Sequence, residues 1–185
     1  EIMPSLVGSE MCIRDSYTAV HSTSKRWEPV IRTVLLGDLV EEELPVFVPL
    51  LERAGVTSFH VTLANHSALE NTIPSANHPY FGHPGCFLKF CNEVRQYTDL
   101  PICGVGGLND PDFVEQQLFD GHIQCAAMSR QLLADPDWVN KLKNGQAKQI
   151  YRCVRCNKKC LGGLMAHQGT RCVYDALREK ETQKA

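Results

Sequence analysis

The chain of 185 residues is 43% hydrophobic and 22% charged, with a formal charge of −2. Those values fit one globular domain with room for a small appendage. They exclude a membrane span, which needs about 18 uninterrupted apolar residues, and a general nucleic-acid-binding protein, which needs a basic field against phosphate.

Residues 1–16 (EIMPSLVGSEMCIRDS) carry neither helical nor strand periodicity. They are expected to be a non-native linker or assembly scar, with the natural sequence extending upstream of about residue 17. From residue 29 the chain alternates. PVIRTVL (29–35) is short, β-branched and apolar, as a buried strand is, apart from Arg32. A charge there needs either an anionic or hydrogen-bonding partner or a strand end that reaches solvent. Residues 40–54 place Leu44, Phe47, Val48 and Leu51 on one helical face that stops at Gly55, with Pro45 and Pro49 as blemishes. Val56 to Thr62 reads as a second strand, with His60 a hydrogen-bonded interior residue. Residues 63–82 form a long polar loop carrying His66 and His78, with His83 just beyond it; sequence alone assigns them no proton transfer.

An amphipathic helix is expected over 87–97 and a third strand over 101–105, followed by Gly106 and Gly107. That pair is either a tight turn or an anion cradle, because glycine lets backbone N–H groups approach a ligand closely. Asp110 and Pro111 begin a helix through Phe119 as N-cap and first residue, and Gly121 ends it. Ile123 to Met128 is a fourth strand, with Ser129 and Arg130 at its end. Cys103 and Cys125 sit in apolar runs and read as small buried hydrophobes. A short segment with Trp138, Val139 and Leu142 follows. Near-continuous apolar strands alternating with helices imply parallel pairing and an α/β architecture. Either part of a barrel or a small doubly wound sheet satisfies that pattern.

The chain has nine cysteines, an odd count that intrachain disulfides alone cannot absorb. Four crowd the C-terminal region: Cys153, Cys156, Cys160 and Cys172. Such spacing suits a metal site better than a disulfide framework. No secretory signal precedes them, so a reducing cytoplasm is the expected setting. Two metals remain open on spacing. Three bunched thiols and a distant fourth favour an iron–sulfur cluster. The alternative is a four-cysteine zinc-binding module on an α/β domain, with a structural or nucleic-acid role suggested by Arg152, Arg155, Lys158, Lys159 and Arg171. On the iron–sulfur reading these cations form a solvated surface.

The run from Pro101 to Cys172 resembles the C-terminal half of the barrel in the Old Yellow Enzyme-like NADH:flavin oxidoreductases. It is most similar to their iron–sulfur branch, which includes 2,4-dienoyl-CoA reductase and trimethylamine dehydrogenase. The residues that carry the likeness are PICGVGG (101–107), Met128-Ser129-Arg130, LADP (133–136), Lys141 with Gly145, and the four cysteines in the branch's spacing. More loosely it extends over residues 28–173. The resemblance implies strands five to eight of a (β/α)8 TIM barrel over residues 17–148, as a partial FMN-binding domain, followed by a [4Fe–4S] segment and tail over 149–185.

Carried over by position, Arg32 would face the pyrimidine edge of FMN. Gly106 and Gly107 would hold its phosphate, with Ser129, Arg130 and Gln131 completing the clamp. Cys153, Cys156, Cys160 and Cys172 would ligate the [4Fe–4S] cluster. Ser129 and Gln131 depart from the branch's usual glycine or alanine and proline. No catalytic residue is assigned, because the family's proton donors belong to the absent N-terminal half. The implied function is a fragment of an FMN- and [4Fe–4S]-dependent oxidoreductase that passes hydride from NAD(P)H through flavin to an activated alkene. Its expected partners are the missing half-barrel and a small-molecule substrate, with a homo-oligomer left open and neither nucleic acid nor membrane. Alone, the fragment would be inactive, with two open strand edges.

Overall fold

The structure, a computed structural model, describes residues 33–36, 43–63 and 69–183. Arg32, His66, Cys12 and the expected linker over residues 1–16 lie outside them. Four strands form one sheet, β1 (Thr33–Leu36), β2 (Ser58–Val61), β3 (Ile102–Gly104) and β4 (Cys125–Ala126). They lie in the order β1-β2-β3-β4, and every pair is parallel. Among the described residues the strand order does not reverse, whereas a doubly wound sheet needs such a reversal.

Helices cover one face of this sheet. The first, α1 (Leu44–Arg53), buries Leu44 and Val48 but leaves Phe47 40% exposed. The expected inner face is therefore one position too wide: the i, i+4, i+7 stripe of Leu44, Val48 and Leu51 packs inward without Phe47. A short helix, α2 (Leu69–Thr72), interrupts the expected loop. Next, α3 (Leu88–Arg95) buries Leu88, Cys91 and Val94. Arg95 at its end donates to the carbonyls of Thr98 at 3.2 Å and Leu100 at 2.9 Å, tying the helix to the chain that enters β3.

The helix α4 (Pro111–Phe119) starts as its sequence dictates. The Asp110 carboxylate accepts from the N–H groups of Asp112 at 3.1 Å and Phe113 at 3.5 Å. Beyond β4 come α5 (Arg130–Ala134), α6 (Trp138–Lys143), α7 (Leu161–Met165) and α8 (Asp175–Thr182).

Strand alternation decides which cysteines are buried. Phe59, Val61, Ile102 and Gly104 face the helices and are buried, with Val48, Cys91, Val94 and Ile123 packed around them. The intervening residues point to the other face, where His60 pairs in register with Cys103 and Cys103 with Cys125. Cys103 is only half-buried and Cys125 is exposed, on the outer strand of the described sheet. The expectation of two buried hydrophobes fails for that reason. The buried pair is Cys86 and Cys91, and burial pushes the Cys91 thiol up to about 12.

Candidate cofactor site at the carboxyl ends of the strands

Parallel strands leave the backbone together at their carboxyl ends, and the turns beyond them enclose a cavity of about 280 Å³. Its floor is Thr62, Val105 and Ala127, one residue past each of β2, β3 and β4. Gly106, Gly107, Ser129 and Arg130 form one wall, and Cys153, Arg155 and Cys160 close another. The turn requires its glycines. Gly106 has φ of +114° and Gly107 +66°, which side-chain-bearing residues rarely adopt. A β-carbon on Gly106 would stand 2.9 Å from Phe87 Cδ2, and one on Gly107 2.8 Å from Arg155 Nη1.

Arg130 opens α5 rather than ending β4, which stops at Ala126. Its Nη1 donates to the Pro74 carbonyl at 2.8 Å and to Asn157 Oδ1 at 2.5 Å. Burial lowers its proton affinity, an effect countered by the neighbouring Cys153 and Cys160 thiols. Arginine keeps its charge under such shifts, so Arg130 is a fixed cation on its wall of the cavity, as is Arg155 on the other. Ser129 lines the cavity with no side-chain capping bond. Gln131 also lines the cavity, with its amide bonded to the cysteine segment. It is 3% exposed, its Nε2 donates to the Tyr151 carbonyl at 3.0 Å, and its Oε1 accepts from Cys153 N–H at 2.8 Å. Its amide grips the cysteine segment.

Several side chains brace that segment. Asp135, 1% exposed, accepts from Lys141 Nζ at 2.7 Å, Tyr151 N–H at 2.9 Å and Asp137 N–H at 3.1 Å. Asn109 Nδ2 donates to the Cys153 carbonyl at 2.6 Å. Arg155 and Asn157 take left-handed conformations, with φ of +48° and +57°, which turn the chain sharply between thiols. Asn157 Nδ2 donates to the Ile73 carbonyl at 2.7 Å. Arg155 donates to the carbonyls of His83 at 2.9 Å and Gly82, and its own carbonyl accepts from Ala76 N–H at 3.1 Å. These bonds knit residues 73–83 to the cysteine segment.

The expectation of a solvated surface fails for Arg155, which is 8% exposed. Its guanidinium finds carbonyls from a loop more than 70 residues upstream, and that pairing makes burial of the charge tolerable. Arg152, Lys158, Lys159 and Arg171 are exposed as expected, and Arg152 pairs with Asp110 at 2.5 Å.

All four C-terminal cysteines line a second, narrow cavity of about 20 Å³, together with Arg130, Arg155 and Asn157. Cys153 and Cys160 line both cavities. Among the described residues no group of three or more His, Cys, Asp or Glu is placed to hold a metal ion. The thiols thus share a cavity without closing around a metal position. Arg155 N–H donates to Cys153 Sγ at 3.4 Å. Burial raises the Cys153 thiol, with the Arg155 N–H and the Arg130 charge opposing it. As a donor set, four thiols with the buried Arg155 and the half-buried Arg130 beside them and no carboxylate on the wall fit an anionic cluster of soft metal.

The histidines divide. His78 Nδ1 accepts from Tyr80 N–H at 3.2 Å and Phe81 N–H at 3.0 Å, so Nε2 carries the proton it donates to Asn71 Oδ1 at 2.9 Å. It holds the loop in shape. His83 donates to the Pro84 carbonyl. The Nε2 of His60 is buried with no hydrogen-bond partner among the described residues, and desolvation lowers the ring's pKa. It faces the sheet surface that carries no helix.

Residues 56–149 match the model of the NADH:flavin oxidoreductase / NADH oxidase family, and the chain belongs to that family. Over 141 residues (76% of this chain and 38% of the relative) it is 58% identical to bilirubin reductase of Clostridium symbiosum (strain WAL-14163). It is 34% identical to bilirubin reductase of Mediterraneibacter gnavus (strain CC55_001C) over 80% of this chain and 23% of that one. The chain thus spans well under half the length of these relatives. Among solved structures, 2-naphthoyl-CoA reductase in complex with 2-naphthoyl-CoA superposes with a TM-score of 0.61 at 24% identity. That match covers 76% of this chain and 21% of the other, and it speaks for the fold. No helix among the described residues is long and apolar enough to cross a membrane.

Proposed function

We propose that this chain is the C-terminal half of a (β/α)8 barrel in an FMN- and [4Fe–4S]-dependent reductase. Its task is to hold the phosphate end of the flavin and the cluster side by side. One observation carries the reading: Cys153 and Cys160 wall both the strand-end cavity and the cavity lined by all four thiols. Electrons would cross from one centre to the other with no intervening protein layer.

In this reading Gly106 and Gly107 bring backbone close to the flavin phosphate, and the second arm of the Arg130 fork, which has no partner among the described residues, meets its oxygens. Ser129 adds a hydroxyl. Arg32 faces the pyrimidine edge of the flavin. Gln131, which also lines the cavity, would complete the clamp, and it and Asp135 hold the cysteine segment in place through Tyr151 and Cys153. Cys153, Cys156, Cys160 and Cys172 ligate the cluster through thiolates, whose charge Arg130 and Arg155 offset. Flavin supplies two-electron hydride chemistry, and the cluster supplies one-electron steps. A reducing, cytoplasmic setting suits this set of free thiols.

The substrate class follows from the same reading. NAD(P)H is the reductant, and an activated, conjugated carbon–carbon double bond is the acceptor. The identity to two bilirubin reductases favours a linear tetrapyrrole of the bilirubin type. The test uses protein from the complete gene, purified without oxygen. With NADH or NADPH it should bleach bilirubin, and Arg130→Ala should lose flavin on dialysis. Flavin content unchanged in Arg130→Ala would refute the clamp, and no bleaching with either nucleotide would refute the substrate.

A further inference from the structure

The thiol cavity has a second neighbour that the proposed electron path leaves unused. Residues 153–172 contain four Lys or Arg and no Asp or Glu, in a chain whose net charge is −2. One of the four, Arg155, is buried. The other three, Lys158, Lys159 and Arg171, are exposed, and none has an acidic partner among the described residues. They converge on an open concavity of about 410 Å³ whose remaining lining is Gly162, Gly163, Gln168 and Gly169. No carboxylate enters it. The concavity is built by close chain crossing: a β-carbon on Gly163 would stand 2.4 Å from the Gly169 carbonyl oxygen. In the same stretch of chain, residues 153–172, three apolar side chains are exposed: Met165 at 65%, Val154 at 53% and Leu164 at 37%.

Lys159 and Arg171 line this concavity and also the cavity of the four cysteines. Each is followed in the chain by one of those cysteines, Cys160 or Cys172. The basic face is therefore the outer skin of the thiol site, one side chain thick. We propose that it docks an acidic protein carrying a one-electron centre. Unpaired charges of one sign on a segment that also exposes apolar side chains are the composition of a transient docking patch, where charge steers the encounter and a small apolar contact holds it. A phosphate-bearing small molecule would use the three cations but not the exposed Met165, Leu164 and Val154.

The inference rests on the reading of the four cysteines as cluster ligands. Each encounter then moves one electron and no atoms. The reduced carrier is oxidised by one electron as the cluster is reduced by one, and two encounters supply the pair that a hydride reduction consumes. The reductase would have an entry for electrons that bypasses the nicotinamide.

The test uses anaerobically purified protein from the complete gene and an acidic ferredoxin as probe. Binding is measured by calorimetry at low salt and at high salt, in wild type and in K158E/K159E/R171E, with iron and sulfide assayed in both. The inference predicts wild-type binding that weakens steeply with salt, and a loss of at least about tenfold in affinity in the variant at equal iron and sulfide content. The milder K158Q/R171Q should fall between the two, which guards against misfolding of the triple variant. Equal affinity in wild type and both variants would overturn it. So would pyrophosphate binding in this face tightly enough to displace the ferredoxin, which would make the face a small-anion site. Wild-type protein without iron and sulfide would instead defeat the cluster reading, and the salt-dependent binding would then stand or fall by itself.

Discussion

Arg155 lies between two thiols in the chain, and its guanidinium bonds the carbonyls of residues 82 and 83. The structure gives its replacement a definite cost. In Arg155→Met the side-chain volume is kept, and the two bonds from the guanidinium to the carbonyls of Gly82 and His83 are lost. Bonds from a charged donor contribute about 1.5–3 kcal/mol each, and a buried acceptor left unpaired costs about 1–3 kcal/mol. These are not additive, and the loop can relax to admit water to one carbonyl. The net loss is therefore expected at about 2–4 kcal/mol of unfolding free energy. Arg155→Lys should lie between, since an ammonium cannot span two acceptors as a planar fork does. Urea unfolding of the cofactor-free protein reads the stability. Hydrogen exchange at Ala76, whose N–H bonds the Arg155 carbonyl, reads the local seam. A loss below about 0.5 kcal/mol, the range of an ordinary surface substitution, would refute the claim that this arginine pins the loop.

Two further outcomes follow from buried polar groups. Asp135→Ala removes the carboxylate that accepts from Tyr151 N–H and pairs with the Lys141 ammonium. It strands a partly buried cation and should cost about 3–5 kcal/mol in urea unfolding; a loss under about 1 kcal/mol would contradict the bracing role. His60 has a pKa below its unfolded value because burial disfavours its charge. The unfolded chain therefore binds more protons between the two values, and stability is present above pH of about 6.5 and is lost as pH falls below it. His60→Gln should flatten that part of the stability–pH curve, and an unchanged slope would contradict it.

Much of the frame was legible because local chemistry and global fold agree. Asp110-Pro111 is a capping signal whose every atom acts as expected, and the β-branched runs of the second and third strands could hardly be read otherwise. The failures share one cause. Burial of Cys103 and Cys125 depends on which face of the sheet carries helices, and alternation alone does not say which face that is. Phe47 fell outside the buried stripe because a helical stripe's width is set by the partner surface. At the site, the glycine turn and Arg130 were visible as motifs. Gln131 was visible as a position but not in its role, since its two amide partners lie 20 and 22 residues downstream. Arg155 and Asn157 were missed as braces for the same reason. The faint signal was an Asn next to a cysteine, a residue tolerant of left-handed backbone.

The central claim is that the strand-end cavity and the thiol cavity serve two coupled cofactors. Its most direct test is the iron, sulfide, zinc and flavin content of anaerobically purified protein from the complete gene, beside Cys156→Ala. The account predicts one FMN with about four irons and four sulfides per chain, and a variant that keeps FMN and loses the iron. Zinc in place of iron, or a variant with the full iron and sulfide complement, would contradict it.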